Sequence, residues 1–151
     1  MKKALMAAFL LVAVIFGSAV YALAGDTPAL TVNVPFAFYA GKQLLPAGEY
    51  RITMLALNYS ATGSILAIGT KDGSLLMYLS GNPSDSRGNE PAYTAKFKKY
   101  GGRYFLSEVQ NGWRTSALPK TRAEKELAIA DASKPGGSAA KDVVLNASTP
   151  E

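Results

Sequence analysis

The sequence predicts an all-β fold, either a small antiparallel barrel or a sandwich of six to eight strands, with one short C-terminal helix. Three observations support this prediction. Apolar and polar residues alternate in several short segments, turn-forming residues separate these segments, and the chain shows no alternation of strands with crossover helices. The part of the chain after residue 24 fits one domain, which we expect to span residues 25–131.

The first 24 residues predict a secretory signal peptide. Lys2 and Lys3 precede an apolar run over residues 4–16, and residues 22–24 form the small-x-small pattern that a signal peptidase cuts. This run is shorter than the roughly 20 residues that a spanning helix needs. We therefore expect cleavage after Ala24, no transmembrane segment afterwards, and a secreted or periplasmic protein. Retention of the segment as a membrane anchor is the alternative.

The first strand is predicted over residues 30–38, where apolar residues recur at every second position. Proline cannot donate a hydrogen bond to a neighbouring strand, so Pro35 places this strand at a sheet edge or at a bulge. Residues 45–48, Leu-Pro-Ala-Gly, predict a tight turn, because proline fixes the second position and glycine suits the fourth. A second alternating strand follows over residues 49–55.

Two hairpins are predicted next. Residues 65–69 and 75–79 form the first, turning around the Asp-Gly pair at positions 72 and 73. After a polar segment, residues 93–100 and 104–110 form the second, turning at Gly101 and Gly102. A two-residue turn places Phe97 opposite Leu106 on the core face. It leaves Phe105 and Val109 on the other face, which we expect to be partly covered.

The C-terminal part begins with a predicted helix. Thr121 and Glu124 fit a capping box, and the helix should run to about residue 130, with Ala123, Leu127 and Ala130 on its inner side. Residues 132–151 are mainly small and polar, so we expect a flexible tail. A late strand at residues 143–146 is the alternative.

Four segments carry a resemblance to a known family. They read VPFAF at residues 34–38, LPAGEY at 45–50, YGGRYFL at 100–106, and LPK at 118–120 leading to EKEL at 124–127. In this order they resemble a family of small exported, functionally uncharacterised proteins of soil bacteria. The resemblance covers residues 30–128 and implies an exported β domain, without implying an activity or a substrate.

Composition excludes the commonest catalytic chemistries. The chain contains neither histidine nor cysteine, which removes Ser-His-Asp and Cys-His nucleophilic sites, histidine metal sites and disulfides. Two strand carboxylates, Glu49 and Glu108, are the one pair considered for glycoside hydrolysis. Each is better explained as capping a strand end or pairing with a nearby cation. We expect no enzyme activity, no catalytic residues, no cofactor and no metal.

A cluster of basic and aromatic residues is the candidate binding site. Residues 91–125 hold eight basic and two acidic side chains. Cations interleaved with aromatic rings can hold anions and stack on sugars. The candidate ligand-binding residues are Lys96, Lys98, Lys99, Tyr100, Arg103 and Tyr104. An exported protein seldom meets nucleic acid, so the expected partner is an anionic envelope glycan or lipid. The alternative is that the lysines only protect a hairpin from aggregation.

The sequence therefore predicts an exported, non-catalytic β domain with a binding or structural role in the cell envelope or extracellular space. One alternative is a small barrel that carries an apolar ligand among Phe36, Phe38, Tyr50, Ile52, Phe97 and Leu106. A second is a self-assembling surface or filament subunit. In that case the edge at residues 32–38 would receive residues 143–145 of another copy as an added strand.

Overall fold

The computed structural model describes residues 29–56, 63–84, 92–112, 114–133 and 140–149. The predicted signal peptide lies outside these ranges. The elements are ten strands and one helix: β1 (Ala29–Val34), β2 (Phe38–Ala40), β3 (Gln43–Leu45), β4 (Gly48–Ala56), β5 (Ser64–Thr70), β6 (Leu75–Pro83), β7 (Ala92–Tyr100), β8 (Arg103–Gly112), β9 (Arg114–Ala117), α1 (Arg122–Ala132) and β10 (Lys141–Asn146). The all-β prediction with one short helix is confirmed. No described helix combines the length and the apolar character needed to cross a membrane.

The strands form one hydrogen-bonded sheet in the order β1-β4-β5-β6-β9-β8-β2-β3. Strand β7 pairs along the whole of β8, and β10 pairs with β7. Neighbours are antiparallel except for the short parallel pair of β2 and β8. The sheet is open rather than closed, although Thr31 of β1 and Ser148, just beyond β10, exchange two backbone hydrogen bonds of 2.7 and 2.9 Å.

The first predicted strand is divided in two. The alternation is as expected, since Leu30, Val32, Val34 and Phe38 are all buried. Pairing with β4 stops at Val34, before Pro35, and β2 then pairs with a different strand. This division, together with the short strands β3, β9 and β10, raises the strand number above the predicted six to eight. The predicted edge position is confirmed for β1, whose one strand partner among the described residues is β4, whereas β2 lies between β8 and β3.

The β7–β8 hairpin has the predicted register at its turn. Phe97 lies opposite Leu106, as the two-residue turn requires. A bulge follows, in which Ser107 is the extra residue of β8 and its hydroxyl donates to the Lys96 carbonyl at 3.0 Å. Because of this extra residue, the side chains of β8 after the bulge lie on the opposite faces from those predicted. Val109 therefore lies opposite Ala95 in the core, and its predicted outward position is wrong.

The predicted flexible tail is wrong for residues 141–146, which form β10. The alternative prediction of a late strand is confirmed. Val143 lies opposite Phe97, and Leu145 lies opposite Ala95, so both apolar side chains pack against the core. The same pairing uses residues 143–145 within their own chain, and Ser148 covers part of β1. The predicted exchange of these two segments between copies would therefore compete with pairing that residues 143–145 and Thr31 already make within the chain.

Aromatic side chains fill the centre of the core. Phe97 makes edge-to-face contacts with Phe36 and Phe38, with ring centroids 5.3 and 5.2 Å apart. Phe38 makes the same kind of contact with Tyr50 at 5.2 Å. Ile52 and Leu106 belong to the same buried cluster. The side chains proposed to hold an apolar ligand thus pack against one another, which argues against a ligand between them.

Helix α1 begins as predicted, with a different buried face. The Thr121 hydroxyl accepts a hydrogen bond from the backbone N–H of Glu124 at 3.2 Å, which confirms the cap. Ala123 and Ala130 are exposed, so their predicted inner position is wrong, while Leu127 is half-buried. Glu124 itself is the buried residue of the helix. The helix therefore docks on the sheet through its capping carboxylate rather than through its alanines.

Replacing Leu145 with alanine should lower the free energy of unfolding by about 1–2 kcal/mol, because a partly buried side chain leaves the core. Val144 on the same strand points outward with 52% of its surface exposed, and Val144→Ala should cost less than about 0.5 kcal/mol. Urea denaturation followed by circular dichroism measures both. Equal and negligible effects would contradict the packing of β10 on the core.

Candidate functional site

The structure divides the six predicted binding residues between the two faces of the β7–β8 hairpin. Because side chains alternate along a strand, the core face of β7 continues from Phe97 to Lys99. The outer face carries Lys96, Lys98 and Tyr100, the core face carries Lys99 and Tyr104, and Arg103 is exposed beside the turn. The predicted cluster is therefore two separate groups.

The charges of the two outer lysines, Lys96 and Lys98, are neutralised by carboxylates on neighbouring strands. Lys96 Nζ lies 2.9 Å from Glu108 Oε1 on β8, and Lys98 Nζ lies 2.9 Å from Asp142 Oδ1 on β10. The hydrogen bond to Asp142 is the largest of the influences that raise the pKa of Lys98. These side chains are one-third exposed or less, except for Asp142. The outer lysines thus join neighbouring strands through ion pairs.

Tyr100 is buried beneath the start of α1 rather than presented to a ligand. Its ring makes an edge-to-face contact with Phe105, with centroids 5.9 Å apart. Phe105 in turn stacks on Tyr39 at 5.0 Å, so the outer face of the hairpin is covered as predicted. Lys120 Nζ lies 6.0 Å from the centre of the Tyr100 ring. Tyr100 therefore belongs to the contact between helix and sheet.

Glu124 is the buried acidic group of this contact, with 5% of its surface exposed. Burial is the largest influence on its pKa and raises it above the usual value for a glutamate. Lys120, the Thr121 N–H, the Tyr100 hydroxyl and Lys98 act in the opposite direction. The Tyr100 hydroxyl faces the carboxylate, yet neither it nor Oε1 has a hydrogen-bond partner of standard geometry. The sequence marks Glu124 as a capping residue, and nothing in it indicates this burial.

The core-face group forms what we call the aromatic–lysine rim, consisting of Phe36, Lys99, Tyr104 and Lys141. The rings of Phe36 and Tyr104 are stacked, with centroids 3.8 Å apart and planes inclined by 15°. Lys99 Nζ lies 5.1 Å from the centre of the Tyr104 ring, within cation–π range. Lys141 on β10 lies directly opposite Lys99 on β7. Both rings remain partly exposed at this end of the core.

Two cations face each other at this rim. Directly opposed residues of antiparallel strands have Cβ atoms about 5 Å apart, and like charges at such positions destabilise a sheet. In the described ranges, Lys99 and Lys141 make no ion pair. An anion between the two ammonium groups would relieve their repulsion. The rim therefore combines an unneutralised positive charge with an aromatic surface.

The described carboxylates do not form a catalytic pair or a metal centre. Glu49 lies 2.9 Å from Lys71, and Glu108 pairs with Lys96, so each has a cation beside it. Their strands, β4 and β8, are not neighbours in the sheet. No group of three metal-ligating side chains occurs among the residues whose positions are described. The rim as built can bind an anion electrostatically.

Comparison with protein-family models, with curated proteins and with solved structures finds no match to this chain. The resemblance to small exported soil-bacterial proteins therefore stays a prediction from the four sequence segments. The assignment of a function depends on the site itself.

The buried Glu124 should make stability depend on pH. Its folded-state pKa lies above the ordinary value of about 4.3, so its contribution is complete below that pH and is lost as the pH rises through the folded-state pKa. The free energy of unfolding should fall over that interval. Glu124→Gln should flatten this part of the profile, which thermal unfolding across a pH series measures.

Glu126 supplies the matched control, because it lies in the same helix and forms an exposed ion pair with Arg122 at 2.9 Å. Glu126→Gln removes the same charge and should leave the pH dependence in place. A profile that keeps its full slope in Glu124→Gln would contradict the assignment of this titration to the buried carboxyl group.

Proposed function

We propose that this protein is an exported, non-catalytic β domain that binds an anionic polysaccharide of the cell envelope or extracellular space. The binding surface is the aromatic–lysine rim. The single observation that carries the proposal is the direct opposition of Lys99 and Lys141 beside the stacked rings of Phe36 and Tyr104.

The chemistry of the rim suits a charged sugar chain. Carboxylate or sulfate groups of the polymer neutralise the two ammonium groups, and the exposed part of the aromatic pair offers an apolar face to a sugar ring. The rings are held by the core, since Phe36 also contacts Phe97 edge to face at 5.3 Å. A rigid platform loses little conformational entropy on binding.

A non-catalytic role is supported by the amino-acid composition and by the ion pairs of two strand carboxylates. The chain has no histidine or cysteine, and the two strand carboxylates considered for hydrolysis each lie beside a lysine. Each of these carboxylates therefore already makes an ion pair within its own chain. The rim thus binds without a neighbouring group that attacks the bound polymer.

Export is supported by the first 24 residues, with their two lysines, apolar run and small-x-small ending. Expression of the full chain in a bacterial host with the general secretion pathway should give mature protein in the periplasm or medium. N-terminal sequencing should read Gly25 as the first residue. Protein that stays in the membrane fraction with Met1 at its start would contradict cleavage.

Removing either rim lysine should weaken binding to polygalacturonate, an acidic polysaccharide used as the probe. One lysine near an anionic surface contributes about 1 kcal/mol, so Lys99→Gln and Lys141→Gln should each raise Kd about fivefold. Lys125→Gln is the matched control, because it removes the same charge from the exposed surface of α1 and should change Kd less than about twofold. Isothermal titration calorimetry measures the three affinities.

Two further ligands separate this proposal from its alternatives. Dextran, a neutral polysaccharide, should bind much more weakly than polygalacturonate. Vesicles containing phosphatidylglycerol should bind no better than vesicles of phosphatidylcholine. Equal losses in all three lysine variants would indicate unspecific attraction by net charge and overturn the rim as the site. Preference for the anionic vesicles over the acidic polysaccharide would overturn the choice of ligand.

A further inference from the structure

Strand β6 has one side without a strand partner over most of its length. Residues 75–80, which we call the β6 edge, pair with β5 on one side. On the other side, β9 reaches only Asn82 and Pro83. Within the described ranges, no strand pairs with the second side of the β6 edge. Its outward backbone N–H and C=O groups can therefore receive another strand.

The side chains of this edge are apolar and exposed. Leu75, Leu76 and Tyr78 keep 51%, 39% and 61% of their surfaces accessible. The six residues include no charge and no proline, which are the usual protections of an edge strand. A bulge at Leu76 leaves residues 77–80 as the regular part. By contrast, the outer side of β1 is partly closed by the two hydrogen bonds between Thr31 and Ser148.

We infer that two copies of this chain associate through the β6 edge, pairing as antiparallel strands about a two-fold axis. The interface is self-complementary, because the same uncharged strand lies on both sides of the axis. Pairing of this kind uses the edge in both copies and forms a closed dimer rather than a filament. The inference does not rest on polysaccharide binding.

The distribution of charge favours a second copy over a charged partner. The β5–β6 hairpin has one basic and one acidic side chain, Lys71 and Asp72, so it is neutral as a whole. The β7–β8 hairpin has four basic residues and one acidic residue. Approach through β6 brings two neutral surfaces together, although the chain as a whole carries a formal charge of +5. An acidic or basic partner finds no opposite charge on this edge.

Sedimentation equilibrium of the purified protein tests the dimer. The weight-average mass should rise with concentration from one chain toward two and go no further. Tyr78→Lys places an ammonium group in an otherwise uncharged interface and removes apolar contact, so it should weaken dimerisation about tenfold or more. Ile129→Lys is the matched control, with the same charge added at a 68% exposed apolar position of α1, and should leave the dimer unchanged within about twofold.

A second measurement does not depend on the effect of an added charge. Since the chain has no cysteine, single substitutions Leu76→Cys, Tyr78→Cys and Ser80→Cys can be oxidised one at a time without competing thiols. A disulfide-linked dimer should form most readily at the one position nearest the two-fold axis, and not in Val144→Cys. A monomer at all concentrations, growth beyond two chains, or equal cross-linking at residue 144 would overturn the proposal.

Discussion

The position of Phe97 is the constraint on which most of the described structure depends. Its ring contacts Phe36 and Phe38 edge to face, and its backbone lies opposite Leu106 on one neighbouring strand and Val143 on the other. It therefore fixes the register of β7 with both β8 and β10. A shift of one residue would exchange the two faces of β7 and place Lys96 and Lys98 in the core. Burial of this one ring thus decides which lysines form ion pairs and which reach the rim.

The parts of the fold that depend on local chemistry were predictable from the sequence. Gly101 and Gly102 adopt the positive φ angles, 52° and 87°, that a two-residue hairpin turn requires, and Thr121 caps the helix. The bulge at Ser107 was not predictable, because it is stabilised by groups distant in sequence. Its hydroxyl donates to Lys96, and its carbonyl accepts from the Leu118 N–H at 2.8 Å. That one inserted residue moved Val109 into the core.

Two of the four residues of the aromatic–lysine rim could be predicted from the sequence. The other two come from parts of the chain that are distant in sequence. The interleaving of cations and aromatic residues in the sequence indicates Lys99 and Tyr104, because they face each other across one hairpin. It does not indicate Phe36, the residue after Pro35, or Lys141, the first residue of β10. The short apolar run at residues 143–145, two of them valine, favours a strand. The small, polar residues around it obscured that signal, since they favour disorder when they are considered without a partner strand.

The open side of β6 is less protected than the outer side of β1. Ser148 closes part of β1, and β10, which ends two residues before it, pairs with β7. The chain thus uses its own C-terminal residues to protect one edge, while the uncharged β6 edge stays available. An unprotected apolar edge normally carries a risk of aggregation, and a two-fold pairing removes that risk by occupying it in both copies.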